Sequence, residues 1–268
     1  MTTKALLVGI AKYANPRNNL DGVENDIAAM VKVLGKFGVS DLEIIRDSNA
    51  TSESIKNALN SLVSDSKDGD VRIFYYSGHG FQLPKDMSGG DDGKQDEALV
   101  PYEGTSSSLI LDTWISQFLK LMLPAKTSLW VVYDSCHSGN MYKDVLLDTA
   151  AEKEVSVTGL RFDSPPLSFS VFPLSKNPSV KDIVLDDSIP NSFHFGAVQP
   201  DTTALVQEID GVRRSVFTWA VEAAAAPGMT VADFEGIVTS KQVAKTPNRI
   251  PQIACAPANK DRVLFSGI

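Results

Sequence analysis

Two short segments of the chain carry side chains that could act together in covalent chemistry. "YYSGHG" (residues 75–80) contains His79, and "VVYDSCHSG" (residues 131–139) contains Cys136, each after an apolar run. A thiol becomes a strong nucleophile when it loses its proton, and a nearby imidazole can accept that proton. The pair therefore predicts attack of a thiolate on a carbonyl carbon. Glycines beside both groups allow close backbone approach, so the N–H groups of Gly80 and Cys136 are candidates for an oxyanion hole.

The chain has only three histidines and two cysteines, which limits the alternatives to this pair. His137 follows Cys136 directly, but consecutive side chains diverge in an extended segment, so His137 cannot easily turn back to the thiol. His194, in "SFHFGAV", is expected to be a packed or hydrogen-bonded histidine of a strand. Cys255, in "PQIACAP", is expected to be a buried small apolar residue. Cys136 with His79 is the pair that remains.

The two segments can meet only if the strands that precede them are near neighbours in one sheet. Short apolar runs such as "KALLVGI" are typical of strands buried on both faces, and they alternate with helical patterns. The alternation predicts an open, mostly parallel α/β sheet with helices on both faces and functional groups at the carboxyl ends of the strands. The predicted strands are 4–10, 41–47, 71–80 ending in a loop, 98–103, 127–136, 193–199, 250–255 and 262–267. The predicted helices are 23–37, 52–62 with Thr51 or Ser52 as the cap, 112–123, 214–226 and 231–241.

The composition restricts the class of partner. A net charge of -8 and a pI near 4.9 leave no basic stripe for a phosphate backbone, so we expect no nucleic-acid partner. A cationic substrate is favoured instead, because an acidic surface raises its local concentration. Two cysteines are too few for a disulfide framework, and no apolar stretch has the length of a signal-peptide core or a membrane span. We therefore expect a soluble protein of the cytoplasm without a membrane partner.

At the two chemical segments the chain resembles the caspase-like cysteine peptidases, and among them the metacaspases and their bacterial relatives, the orthocaspases. Caspases carry "QAC", one variable residue and Gly, with the histidine about 50 residues upstream. Here the spacing agrees, while Asp134 replaces the Gln. The segments "ALLVGIAKY", "LDGVENDIAAM", "DDGKQDEALVP" and "SVFTWAVEAA" are also similar to the family. The resemblance implies a six-stranded sheet, His79 as general base, Cys136 as nucleophile, peptide-bond hydrolysis through an acyl-enzyme, and a monomer.

The resemblance also implies a substrate pocket formed by Asp26, Ser77 and Asp134, which match the family's positions for binding a basic residue. Carboxylates in such a pocket favour Arg or Lys, and Arg can pair with them through two parallel hydrogen bonds. Other interpretations stay open at this point. Asp26 could be an ordinary first-turn acid of a helix, and Asp134 could orient His79 or a loop.

Many metacaspases need calcium, and the resemblance implies a site built from Asp96, Asp112 and Asp144. Hard oxygen ligands of this kind suit calcium. However, the chain has Leu111 and Asp112 where the family usually shows two adjacent acids. A solvated acidic loop, which would include Asp91, Asp92 and Glu97, is the alternative interpretation. The chemistry itself would require no cofactor.

We expect one peptidase domain over residues 1–268. Residues 1–147 would form a large-subunit-like half with the His–Cys dyad, 148–192 an insertion or linker, and 193–268 a small-subunit-like half. The protein would then be an endopeptidase acting after Arg or Lys in proteins or peptides, made as a zymogen that cuts itself within 141–192. Basic residues available there are Lys143, Lys153, Arg161, Lys176 and Lys181. The alternatives are an inactive scaffold of the same fold and a flavodoxin-like binder, although the latter lacks a phosphate-binding loop after strand one.

Overall fold

The computed structural model describes residues 1–83, 97–137, 191–197 and 205–267, and for Gln82, Cys136 and His137 only the backbone is described. The strands are β1 Thr3–Gly9, β2 Asp41–Arg46, β3 Val71–Gln82, β4 Glu97–Leu99, β5 Ile110–Leu111, β6 Ser128–His137, β7 Ser192–Gly196, β8 Val206–Ile209, β9 Val212–Ser215 and β10 Gln252–Cys255. The helices are α1 Val23–Lys36, α2 Ser52–Val63, α3 Asp112–Met122, α4 Val216–Ala224 and α5 Val231–Lys245.

Six strands form the main sheet in the order β10, β7, β6, β3, β1, β2. All neighbours along this path are parallel except β10, which runs antiparallel to β7 at the edge. Two short strands, β4 and β5, continue from the end of β3. The predicted mostly parallel, six-stranded α/β sheet is thus confirmed, and the central pair β3 and β6 carries both chemical segments.

Helices cover both faces of the sheet, as predicted. Adjacent residues of a strand point to opposite faces, so Leu6 and Leu7 of β1 belong to two separate apolar clusters. The cluster of Leu7 packs against α1, α4 and α5, and the cluster of Leu6 packs against α2 and α3. Continuous apolar runs in the sequence therefore reflect burial on two sides.

The helix starts and stops follow ordinary capping chemistry. Thr51 caps α2, because its side chain accepts a hydrogen bond from the Ser54 N–H at 3.1 Å. Gly38, which has a φ of 73°, follows the end of α1 in the left-handed region that glycine adopts most easily. These two signals place α1 and α2 close to their predicted bounds.

The prediction that strand 71–80 ends in a loop around His79 is wrong. β3 continues to Gln82 and β6 to His137, and the two remain paired through Gly80 and His137. The small residues stay in the sheet because β4 pairs with the end of β3 and the Val100 N–H donates to the His79 carbonyl at 3.1 Å. Their backbone groups are therefore satisfied by strand partners rather than by turns.

Two predictions in the C-terminal half are also wrong. The helix expected from Arg214 begins at Val216, because the preceding residues form β9 and pair with β8 across Asp210 and Gly211. Both turn residues have positive φ values, 54° and 76°, as a two-residue hairpin requires. The expected strand 262–267 is absent, and in this stretch only Val263 forms an isolated bridge. Leu264 and Phe265 are buried in the core without belonging to a strand.

The predicted division of the domain into two halves and a linker stays a prediction. Almost all of the linker, residues 148–192, lies outside the described residues. Within the described ranges, no helix combines the length and apolar character that crossing a membrane would require.

Candidate active site

The register between β3 and β6 places the two predicted reactive residues side by side. His79 is the parallel partner of Cys136, and Ser77 is the partner of Asp134 two residues earlier. Neighbouring strands lie about 4.8 Å apart, so each pair projects from adjacent backbones at the same level of the sheet. The described backbone thus brings together all four positions, although the thiol itself lies outside the described part of the site.

His79 is buried and held in one orientation by the segment after β1. Its Nε2 lies 2.8 Å from the Asn18 carbonyl oxygen, and its ring lies 4.9 Å from the ring of Tyr13. A carbonyl oxygen can only accept a hydrogen bond, so Nε2 carries the proton and donates it. The other ring nitrogen, Nδ1, is then the basic one, which is the form a general base requires.

Burial also keeps this imidazole neutral. It lowers the pKa of His79 below the ordinary value, and the hydrogen bond to Asn18 opposes that shift. A neutral imidazole near physiological pH can accept a proton from a thiol, whereas an imidazolium cannot.

Two tyrosine hydroxyls fix the backbone around His79. The His79 N–H donates to the Tyr13 hydroxyl at 2.8 Å, and the Tyr76 hydroxyl lies 2.8 Å from the His79 carbonyl and 2.9 Å from the Val100 carbonyl. Both hydroxyls approach Gly78 so closely that a β-carbon there would lie 2.7 Å from Tyr76 Oη and 3.0 Å from Tyr13 Oη. The first glycine of "SGHG" is therefore required by packing.

Gly78→Ala is expected to destabilise the protein by about 1–3 kcal/mol, because neither buried tyrosine hydroxyl can move without losing its hydrogen bonds. Gly35→Ala in α1 is the matched control, since no atom lies within 4 Å of its β-carbon position. The control is expected to be neutral or stabilising by about 0.5 kcal/mol. Thermal unfolding of both variants checks this, and equal effects would contradict the packing role of Gly78.

The three predicted pocket residues also come together. Asp26 of α1, Ser77 of β3 and Asp134 of β6 are all buried. Ser77 and Asp134 are strand partners, and the Ser77 side chain lowers the pKa of the Asp26 carboxyl group. Asp26 is thus a buried acid as well as a first-turn residue of α1.

Ser215 and Thr218, both from the C-terminal half, contact the acids Asp26 and Asp134 and were not predicted from the sequence. The Ser215 N–H donates to Asp26 Oδ1 at 2.9 Å, and the Ser215 hydroxyl donates to Asp134 Oδ1 at 2.8 Å. Thr218 Oγ1 lies 2.5 Å from Asp134 Oδ2 and donates to it. Sequence spacing gives no sign of contacts across 81 to 189 residues. The segment "SVFTWAVEAA" did carry the family resemblance, but no residue in it was assigned a role.

Burial raises the pKa of both acids. Burial and the nearby charge of Asp134 together raise the pKa of Asp26 to about 8, against the Ser215 N–H and the Arg214 guanidinium, which lower it. Burial raises the pKa of Asp134 as well, but hydrogen bonds from Thr218 and Ser215 oppose the shift. Asp26 therefore holds its proton at neutral pH.

Asp26→Asn is expected to stabilise the protein most at alkaline pH. In the unfolded chain this acid ionises near pH 4, whereas the folded chain keeps the proton until the pKa of about 8, so stability falls as pH rises between these values. Asparagine avoids that loss and still offers an oxygen to the Ser215 N–H. We expect Tm at pH 8 to rise by about 4 °C or more, with a smaller gain at pH 5.

Glu24→Gln is the control for this prediction, because Glu24 is an exposed acid in the same helical turn. Thermal scans at the two pH values compare the variants. A Tm gain for Asp26→Asn that is the same at both pH values would contradict the buried, protonated state of Asp26.

The remaining predicted site residues are only partly described. Asp112 begins α3, where its Oδ1 accepts a hydrogen bond from the Thr113 N–H at 2.7 Å, while Asp96 and Asp144 lie outside the described residues. Within the described ranges, no three His, Cys, Asp or Glu side chains are grouped in a way that could hold a metal ion. Two of the three predicted ligands are thus not described, and the calcium site stays a prediction. The oxyanion-hole role of Gly80 and Cys136 stays a prediction.

The other histidine and cysteine candidates lie away from the His79 side of β6. His194 is buried in β7, and Cys255 is buried in β10 opposite Phe193. Burial raises the pKa of the Cys255 thiol, which disfavours the thiolate. The expectation that Cys255 is a buried apolar residue is confirmed.

The fold, with its mixed and mostly parallel sheet, five helices in the described ranges and paired chemical segments, defines a caspase-like α/β protein. A crystal structure of a Geobacter sulfurreducens protein has a TM-score of 0.65 to this chain and covers both chains in full. Their sequence identity is 18%, so this likeness concerns the fold alone.

The metacaspase, peptidase C14 domain matches residues 3–145, which is more than half of the chain. The chain therefore belongs to the metacaspase family. Similar relatives include metacaspase-1 of Schizosaccharomyces pombe, with 35% identity over 51% of this chain and 34% of that protein, and metacaspase-9 of Arabidopsis thaliana, with 37% identity over 51% and 43%. Metacaspase-2 of Trypanosoma brucei brucei is 35% identical over 52% and 42%. The chain thus matches less than half the length of these relatives.

Proposed function

We propose that this chain is a cysteine endopeptidase that cuts after Arg or Lys, with His79 as general base and Cys136 as nucleophile. The observation that carries the proposal is the register of β3 and β6, in which the His79–Cys136 pair lies next to the Ser77–Asp134 pair. One pair supplies the chemistry and the other begins the pocket for the substrate side chain. Membership of a peptidase family supports proteins or peptides as the substrates.

The reaction follows from the protonation state of His79. Nδ1 accepts the proton of the Cys136 thiol, and the thiolate attacks the carbonyl carbon of the bond to be cut. The imidazolium then returns the proton to the leaving amine, which leaves an acyl-enzyme. Water activated by the same imidazole hydrolyses the acyl group and releases the thiol. The N–H groups of Gly80 and Cys136 are proposed to bind the oxyanion of both tetrahedral intermediates.

The preference for a basic residue is proposed from the buried acids. A cationic side chain at P1, the residue whose carbonyl is attacked, would be drawn from water only if a carboxylate compensated for its desolvation. Asp134 is such a carboxylate, and Asp26 and Ser77 complete the pocket around it. Exposed Arg and Lys residues in proteins are therefore the proposed targets. The Arg and Lys residues between positions 141 and 192 are proposed sites of self-cleavage.

The decisive experiment uses peptides that end in Arg, Lys, Asp or Asn before a fluorophore, with and without calcium, and Cys136→Ala as the blank. Cleavage after Arg and Lys that is absent from the blank is the expected result. A preference for Asp would overturn the pocket assignment. Absence of cleavage, together with no labelling by a peptidyl electrophile in either calcium condition, would favour an inactive scaffold. Gel filtration of the same sample tests the proposed monomer.

A further inference from the structure

Ser215 lies between the two buried acids and contacts both of them. Its N–H donates to Asp26 Oδ1 at 2.9 Å, while its hydroxyl donates to Asp134 Oδ1 at 2.8 Å. The same hydroxyl caps α4 by accepting hydrogen bonds from the Phe217 N–H at 3.1 Å and the Thr218 N–H at 3.4 Å. Asp134 thus lies at the N-terminus of α4, where the helix dipole favours negative charge.

The hydroxyl groups of Ser215 and Thr218 both contact the carboxyl group of Asp134. A hydroxyl has one proton, and Thr218 gives its proton to Asp134 Oδ2. Tyr75, whose hydroxyl lies 2.8 Å from Thr218 Oγ1, must then be the donor of that pair. Ser215 and Thr218 therefore both donate to Asp134, one to each oxygen. Hydrogen bonds donated to both oxygens stabilise the ionised form of Asp134 and oppose the effect of burial.

The position of Ser215 is fixed by close packing of β9 against the start of α1. Asn25 Nδ2 donates to the Arg213 carbonyl at 2.7 Å, and Arg213 Nε pairs with Asp21 Oδ2 at 3.2 Å. A β-carbon on Gly22, which has a φ of 92°, would lie 3.0 Å from the Arg213 carbonyl oxygen and from the Arg214 Cα. The two backbones are therefore in contact, and Ser215 has little freedom to move away from Asp26.

We propose that Ser215 and Thr218 are specificity-determining positioning residues, which hold Asp134 as the ionised acid of the pocket and so set its preference for a cationic P1 side chain. The inference rests on the proposed function and extends it to two residues of the C-terminal half. Other charged or titratable groups that face the acid pair are the Arg214 guanidinium and the Tyr75 hydroxyl. Among the groups around Asp134, the Ser215 and Thr218 hydroxyls each donate directly to one of its oxygens.

The test compares Thr218→Val, which removes only the hydroxyl, with Thr218→Ser, which keeps it. Peptides ending in Arg or in citrulline, its uncharged analogue, measure the charge preference. Thr218→Val is expected to raise KM for the Arg peptide about tenfold with kcat changed by no more than about twofold, because the lost donor acts on binding. Thr218→Ser is expected to restore KM, and Ser215→Ala to raise it further.

Thr230→Ala is the control for Ser215→Ala, because Thr230 caps α5 in the same way without contacting an acid of the pocket. It is expected to lower Tm and leave both KM values unchanged. The inference is wrong if Thr230→Ala raises KM as Ser215→Ala does, or if Thr218→Val folds normally and keeps the wild-type preference for Arg over citrulline.

A binding measurement separates this inference from the proposed function. Calorimetry with agmatine, a small guanidinium compound, in the Cys136→Ala background reports on the pocket without catalysis. The dissociation constant is expected to rise about tenfold in Thr218→Val and to be unchanged in Thr230→Ala. If the wild type cleaves no peptide but this pattern is found, the peptidase proposal fails and the pocket inference stands. Equal agmatine binding in all variants overturns the inference whatever the activity.

Discussion

Replacing His79 by alanine is expected to lower kcat/KM for the Arg peptide by at least about 10³-fold, because no other group at this level of the sheet is proposed to take the thiol proton. The Asn18 carbonyl and the Tyr13 ring position the imidazole, so its removal also removes the preformed geometry. Labelling of Cys136 by a peptidyl electrophile should slow by a similar factor. Initial rates and mass spectrometry of the labelled chain measure the two effects.

The loss in His79→Ala should depend on pH in a characteristic way. An isolated thiol ionises near pH 8.5, so raising the pH above this value should restore part of the labelling in the variant. His137→Ala is the matched control, and it is expected to keep most of the labelling rate. Loss of labelling in His137→Ala together with normal labelling in His79→Ala would show that His137, and not His79, is the general base.

Replacing Asp134 by asparagine is expected to lower kcat/KM for Arg and Lys peptides by about 10²-fold or more. The change leaves the shape nearly intact and keeps one acceptor oxygen, but it replaces the other oxygen by an NH2 donor. It also removes the charge that compensates a buried guanidinium, a loss typically of about 2–5 kcal/mol. The citrulline peptide should lose far less, so the Arg-to-citrulline ratio is the quantity to measure. Equal losses for both peptides would show that Asp134 acts on the chemistry rather than on charge recognition.

Loss of stability cannot explain the expected effect of Asp134→Asn. Replacing an ionised buried side chain by a neutral one of the same size is often neutral or stabilising, because the cost of burying charge disappears. Asp233→Asn is the matched control. Asp233 lies in the first turn of α5 and accepts a hydrogen bond from the Thr230 hydroxyl, away from the proposed pocket. This variant should keep the activity and preference of the wild type.

The sequence predicted the part of the site that depends on strand order. Runs of apolar residues before His79 and Cys136 identified two buried strands, and parallel neighbours carry their functional groups to the same edge. That argument gives proximity but not register. The pairing of His79 with Cys136 and of Ser77 with Asp134 was found only in the structure, because a shift by one residue would leave the apolar pattern of a strand buried on both faces almost unchanged.

The part that could not be predicted depends on docking between distant segments. Arg214 and Ser215 were interpreted as the start of a helix, although Asp210 and Gly211 are a typical hairpin pair that could have indicated β8 and β9. Recognising that hairpin would still not have placed Ser215 against Asp26. This contact arises from the packing of β9 on α1, which depends on backbone approach at Gly22. Local sequence patterns do not indicate that two distant backbone segments approach each other so closely.

The proposed acid pocket is formed by residues from both halves of the chain. Asp26, Ser77 and Asp134 come from the first half, whereas both hydroxyl donors to Asp134 come from β9 and α4. Strand β7 pairs with β6 on one side and β10 on the other, so the second half also contributes to the central sheet. Two separately produced fragments, 1–147 and 193–268, would therefore have to assemble before either could recognise arginine. Arginine recognition by a mixture of the two fragments would then measure how far the fragments have associated.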